Sequence, residues 1–179
     1  MKSAFVVVFL AVSAFAQNSE HAAPVQAACG PSETQFQIKL ENKAGTEPQI
    51  DSGKALIYVM EDQRFKYVKD VTVRIGADGG WVGATRGQSF LTFSLEAGEH
   101  HLCVDWMPQG AAREIALFGF TAEAGKVYYL RARISGGPGS SFDPSALAYG
   151  SAIDLDPVNE DEGKMLVDIS PASVSHAKK

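Results

Sequence analysis

Apolar side chains recur in this sequence with a period of two, in short runs separated by turn residues, and that pattern directs the chain toward β-sheets. In residues 35–40 (QFQIKL), Phe36, Ile38 and Leu40 share one face of a half-buried strand. Residues 55–60 (ALIYVM) are apolar throughout, with β-branched and aromatic members, which predicts a strand covered on both faces. Val71, Val73 and Ile75 alternate with Thr72 and Arg74. Residues 77–80 (ADGG) read as a hairpin, because Asp-Gly accepts the positive φ angles of a type I′ turn, and 81–84 (WVGA) is the return strand. Residues 90–95 (FLTFSL) place Leu91, Phe93 and Leu95 on one face. Residues 114–121 (EIALFGFT) and 127–134 (VYYLRARI) predict a further strand pair joined by 122–125 (AEAG), and 152–155 (AIDL) offer a last short strand.

These elements predict an all-β fold, a mostly antiparallel β-sandwich of prealbumin-like or immunoglobulin-like shape, with one short C-terminal helix. Its core is expected from Ile57, Val59, Val73, Ile75, Phe93, Leu95, Leu102, Val104, Leu130 and Ala132. Asp156 is placed to cap the helix and Pro157 to occupy its first position. Val158, Met165, Leu166 and Ile169 supply its apolar stripe, against which Gly163 counts as a weak helix former.

The N-terminus directs the compartment. Lys2, the apolar run 4–12 (AFVVVFLAV) and the small residues Ala14 and Ala16 have the layout of a secretory signal with cleavage before Gln17. The run is too short for a stable membrane span, and polar residues follow it directly. Cys29 lies 13 residues beyond Ala16, too far for a lipid anchor. The expected organisation is a signal peptide over 1–16, an extended N-terminal segment over 17–33, a single sandwich domain over 34–169 and a flexible tail over 170–179. Removing the signal leaves 163 residues, enough for one core, with 15 Lys and Arg against 21 Asp and Glu. A mildly acidic chain without basic runs is poorly suited to nucleic acid. The location expected is outside the cytoplasm: periplasm, cell surface or medium.

Two cysteines, Cys29 and Cys103, in an oxidising compartment predict one disulfide. It closes a loop of about 75 residues, for which the chain-entropy estimate is roughly 4 kcal/mol. Cys103 sits in 99–106 (EHHLCVDW), where a metal site or a Cys-His pair is the competing reading. Alternation puts His100, Leu102, Val104 and Trp106 on the core face and Glu99, His101, Cys103 and Asp105 on the other. A zinc site requires four ligands, usually with CxxC or HxxxH spacing, and no such partner motif occurs elsewhere in the sequence. The disulfide reading therefore prevails. The segment carrying Cys29 is then expected across the second face, over His101 and Asp105, with both histidines as bystanders.

Other constellations carry less. Asp154, Asp156, Glu160, Asp161 and Glu162 lack the spacing of a calcium loop and suit a helix N-terminus. Arg131 and Arg133 share a strand face with Tyr129, which suits an anion, although a solvated face is the plainer reading. Of Tyr128 and Tyr129, one is expected in the core and one at the surface. Trp81 and Trp106 have the chemistry to stack on a sugar ring but read as core positions. The Gly/Ser/Pro-rich stretch 135–150 reads as a long mobile loop. No nucleophile elbow, phosphate loop, dinucleotide fingerprint or HExxH occurs, so neither catalytic residues nor cofactor or metal ligands are assigned.

The succession KALIYVMEDQ, VTVRIGADGGWVG, FLTFSLEAGEHHLCV and FTAEAGKVYYLRARI resembles the bacterial domain of unknown function 2846 family. The likeness runs from about residue 55 to 134 and rests on an apolar YV strand, a GDG-type hairpin and two turns leading into strands. Ala97 and Ala124 stand where that family usually has proline before Gly98 and Gly125. The flanks ACGP and DLDPVNEDEGK are similar to longer exported members. The resemblance implies a small prealbumin-like or PEGA-type β-sandwich and no catalytic residue. The function expected is an exported, non-catalytic accessory or binding module, with an envelope or extracellular protein or glycan as partner. The alternatives are a metal- or small-ligand-binding protein using the His101/Asp105 face, and a hydrolase with no nameable nucleophile-base pair.

Overall fold

The computed structural model describes residues 25, 27–42, 48–63, 71–106, 113–135 and 152–178. Residues 1–24 and 136–151 lie outside these, and with them the signal peptide and nearly all of the predicted 135–150 loop. The described strands are β1 (Phe36–Glu41), β2 (Lys54–Gln63), β3 (Thr72–Ala77), β4 (Gly80–Arg86), β5 (Phe90–Glu96), β6 (Gly98–Trp106), β7 (Glu114–Ala122), β8 (Val127–Ser135), β9 (Ala152–Val158) and β10 (Ala172–Ala177). Helix α1 (Glu160–Ile169) lies between β9 and β10. Two sheets form, one of six strands in the order β1-β10-β5-β2-β8-β9 and one of four in the order β4-β3-β6-β7. The fold is an all-β sandwich, mostly antiparallel, with one short helix near the C-terminus.

Period-two alternation builds the core between the sheets. Ile57, Val59, Val73, Ile75, Leu102, Val104, Leu130 and Ala132 are buried there, with Phe93 and Leu95 packed partly buried against them. The other face of β2, with Leu56, Tyr58 and Met60, forms a second apolar layer with Phe90, Tyr129 and Val167 of α1. This double cover explains why β2 carries an unbroken apolar run. The hairpin between β3 and β4 turns at Asp78 (φ 50°) and Gly79 (φ 80°), as the Asp-Gly pair requires. The register of β3 on β4 shifts between Ile75 and Gly76, and the N-terminal segment lies close against Gly76. A Cβ on Gly76 would stand 2.8 Å from the Ala28 carbonyl oxygen and 3.1 Å from Cys103 Sγ.

Several local expectations are corrected. Strands β7 and β8 do not pair: β7 joins β6 in the four-stranded sheet, and β8 lies parallel to β2 and antiparallel to β9 in the other. The turn at Gly125 (φ 78°) crosses between sheets and is tied to β2, with Gly125 N–H donating to the Lys54 carbonyl at 2.8 Å. The expected flexible tail contains β10, which pairs with β1 over six residues and touches β5, so the sandwich extends past residue 169. Within the expected extended segment 17–33, residues 25, 27 and 28 are helical, and Cys29 N–H donates to the Val25 carbonyl at 2.7 Å.

The helix begins later than its proline suggested. Asp156 and Pro157 belong to β9, an edge strand that tolerates a residue without N–H, and Asn159 is the cap, accepting from Glu162 N–H at 2.9 Å. The expected stripe is also displaced. Gly163 and Val167 are buried, with Leu166 packed alongside, whereas Met165 and Ile169 are exposed. Gly163 lies against the Tyr129 ring so closely that a Cβ would overlap it. Both tyrosines of β8 are covered: Tyr128 packs against the inter-sheet core and Tyr129 stacks on Tyr58 under α1, ring centroids 5.2 Å apart.

Candidate functional site

The face of β6 bearing His101, Cys103 and Asp105 carries the candidate chemistry, and the fold engages each residue differently. Cys103 is buried at disulfide distance from Cys29, with Cα atoms 5.5 Å apart. Asp105 is buried directly opposite Arg74 in the β3–β6 register, and its Oδ2 accepts from both Arg74 and Arg113, the Arg113 Nε contact being 2.8 Å. His101 is exposed, so the N-terminal segment covers Cys103 but leaves this histidine uncovered, contrary to expectation. Its ring makes no site with the other two. Among the described residues no group of three or more His, Cys, Asp or Glu side chains is placed to hold a metal ion.

The same face anchors the N-terminal segment. Arg74 Nη1 donates to the carbonyls of Ser32 at 2.6 Å and Thr34 at 2.8 Å while its guanidinium lies 4.6 Å from the Trp81 ring centroid. Trp81 Nε1 donates to the Pro31 carbonyl at 2.7 Å. Ala28, Cys29 and Cys103 form a small apolar cluster with Val25, Trp81 and Ile115 packed against it. Trp81 therefore packs under the segment, and Trp106 is buried in the main core. Neither indole presents a bare platform for a sugar.

The histidine that the strand phase assigned to the core face is no bystander. His100 Nδ1 lies 2.6 Å from Asp78 Oδ2, and Nε2 lies 2.8 Å from the Glu96 carbonyl oxygen. Asp78 is held in turn by β6, its Oδ1 accepting from His101 N–H at 2.9 Å. Burial works against charge on His100, but the Asp78 carboxylate and the Glu96 carbonyl outweigh it and hold the ring pKa above the ordinary histidine value. Burial likewise opposes the Asp78 charge, yet the His101 N–H and the His100 ring hold its carboxyl below the usual carboxylate range.

Arg131 and Arg133, weighed as an anion site, hold acids instead. Arg131 pairs with Glu162 of α1 at 2.7 Å and Arg133 with Asp156 of β9 at 2.5 Å. Glu160, in the first helical turn, pairs with Lys164 at 2.5 Å. Two members of the acidic cluster thus tie the helix and the edge strand to β8.

A concave feature with apolar walls opens where β7 of one sheet faces β8 and β9 of the other. It is a cleft of about 260 Å³ lined by Phe118, Phe120, Tyr128, Leu130, Pro157 and Val158, among others. Phe120 is its hinge of contacts: it stacks on Phe118 at 5.8 Å, meets Tyr128 edge-on at 5.1 Å and lies 6.2 Å from the His100 ring. The Tyr128 hydroxyl accepts from Glu123 N–H at 3.0 Å and donates to the Thr121 carbonyl at 3.4 Å. No family model, curated protein or solved structure matches the chain.

No cleft is legible in the sequence, because its walls come from three strands whose pairing is not local. The alternating aromatics of 118–120 and the paired tyrosines 128–129 were the available signal. Arg74 and Arg113 were missed as partners of Asp105 because only the register of β3 on β6, and the return of the chain into β7, bring them there.

Proposed function

We propose that this protein is an exported, non-catalytic β-sandwich module that binds a small apolar group in the cleft between β7 and β8/β9. The observation that carries this reading is the aromatic lining of that cleft, beside which the candidate polar chemistry of β6 is engaged in holding the fold. Engineered apolar cavities of about 150 Å³ take benzene. A cleft of about 260 Å³ with phenyl walls therefore suits one aromatic ring with a short substituent. Such a group fits the side chain of an envelope or extracellular protein partner better than a glycan, whose hydroxyls would find few polar atoms there. Export is supported by the leader-like residues 1–16 and by a cysteine pair at disulfide distance, which persists in an oxidising compartment. The turn residues shared with the domain of unknown function 2846 family support kinship with its exported members. Among the described residues no helix is long and apolar enough to cross a membrane.

The metal-binding alternative for the His101/Asp105 face loses ground, because Asp105 already serves two arginines and Cys103 faces Cys29. A fluorine-NMR screen of single-ring aromatic fragments against the exported protein tests the proposal. Saturable binding that is lost in Phe120→Ala, with the fold retained, is expected. Binding unchanged by that substitution, or a protein retained in the cytoplasm with Met1 in place, would overturn it.

A further inference from the structure

His100 sits between two groups that can only accept hydrogen bonds. On one side is the Asp78 carboxylate, 2.6 Å from Nδ1; on the other is the Glu96 carbonyl oxygen, 2.8 Å from Nε2. A neutral imidazole carries one N–H and satisfies one of them, leaving a lone pair aimed at the oxygen of the other. Only the imidazolium donates to both. The ring is held where this matters, with its side chain 11% exposed and its cross-strand partner Phe120 on β7 presenting an aromatic ring and no charge.

Among the described residues, the charged groups around it do not supply another proton partner. Glu96 directs its carboxylate toward Lys54 at 3.5 Å and offers His100 its backbone oxygen alone. Asp78 is fixed from three directions: by its place in the β3–β4 turn, by its N–H donating to the His101 carbonyl at 2.9 Å, and by His101 N–H donating to its Oδ1. The adjacent His101 is exposed and adds a favourable field at Asp78 when charged. Asp78 cannot follow the ring if the ring turns away.

We propose that His100 is a proton-dependent latch, whose imidazolium holds the β3–β4 turn against the β5–β6 turn and whose deprotonation releases one of the two contacts. The direction follows from linkage. Because the ring pKa is raised in the fold, its contribution is fully present below the unfolded histidine value of about 6.5 and is lost as pH rises through the folded value. The Asp78 carboxyl, held low, contributes above its unfolded value and loses that contribution as pH falls through its folded one. The latch is closed between the two folded values. Since Phe120 touches the His100 ring and also lines the cleft, release alters one wall of that cleft.

Melting temperature measured from pH 5 to 9 on the wild type, His100→Gln, Asp78→Asn and the control His101→Gln tests the latch. Asparagine tolerates the positive φ of position 78, so the turn survives that change. The wild type and the control are expected to lose a few degrees as pH climbs above about 6.5, and both latch variants to lose that slope. Titration of the His100 ring by NMR is expected to give a midpoint above the ordinary value, returning toward it in Asp78→Asn. A wild-type slope in both latch variants, or a His100 midpoint at or below the ordinary value, overturns the proposal. Should His100→Gln fail to fold, Asp78→Asn and the NMR midpoint decide it.

Discussion

Arg74 and Asp105 stand directly opposite one another on β3 and β6, and the arginine that neutralises this buried carboxylate also holds the carbonyls of Ser32 and Thr34. One side chain thus joins sheet electrostatics to the docking of the N-terminal segment. Removing one member of a buried ion pair leaves its partner uncompensated, at about 3–5 kcal/mol. Asp105→Ala, which strands Arg74 and Arg113 together, is expected to lose that amount in urea unfolding. A loss below about 1 kcal/mol would mean that the pair is not desolvated in solution.

Cys29→Ala and Cys103→Ala are expected to destabilise the protein to a similar extent, about 2–5 kcal/mol, because each removes the same crosslink. Thiol titration of denatured, unreduced protein provides the independent check. No free thiol is expected; two would show that the pair does not close in solution.

Gly163→Ala raises helix propensity by about 1 kcal/mol and should nevertheless destabilise. The added Cβ meets the Tyr129 ring, which is held from behind by its stack on Tyr58. Overpacking at such a contact costs about 1–3 kcal/mol, so the net effect expected is a loss. A rise in melting temperature would show that α1 slides freely over β8.

Truncation after Ser170 removes β10, which lies between β1 and β5 in the six-stranded sheet. The shortened protein is expected to lose cooperative unfolding of β1 and to exchange the amides of β1 and β5 faster than the full chain. Unchanged exchange at β1 would return residues 170–179 to the status of a tail.

Leucine 102 gives the plainest test of strand phase. Its side chain is fully buried between the sheets, and Leu102→Ala is expected to cost about 2–5 kcal/mol. The neighbouring His101→Ala, on an exposed side chain, should change stability little.

Local chemistry determined a good deal of this protein from sequence alone. Alternation at Val73/Ile75 and Leu102/Val104 gave the buried face of each strand, since a strand shows its neighbours opposite sides whatever it pairs with. Asp78-Gly79 gave the hairpin, because few dipeptides tolerate two successive positive φ angles. The count of two cysteines left a single possible pair. Pairing partners were another matter, since strand order depends on contacts far apart in sequence. That is why β7 turned to β6 rather than β8, why β2 and β8 run parallel, and why 172–177 (ASVSHA), with little apolar signal of its own, became a strand only against β1. The same non-local closure set Arg74 and Arg113 on Asp105, Tyr129 beneath Gly163, and His100 between Asp78 and Glu96. Sequence fixes which faces must be buried; only the packed sheets decide what each buried polar group meets there.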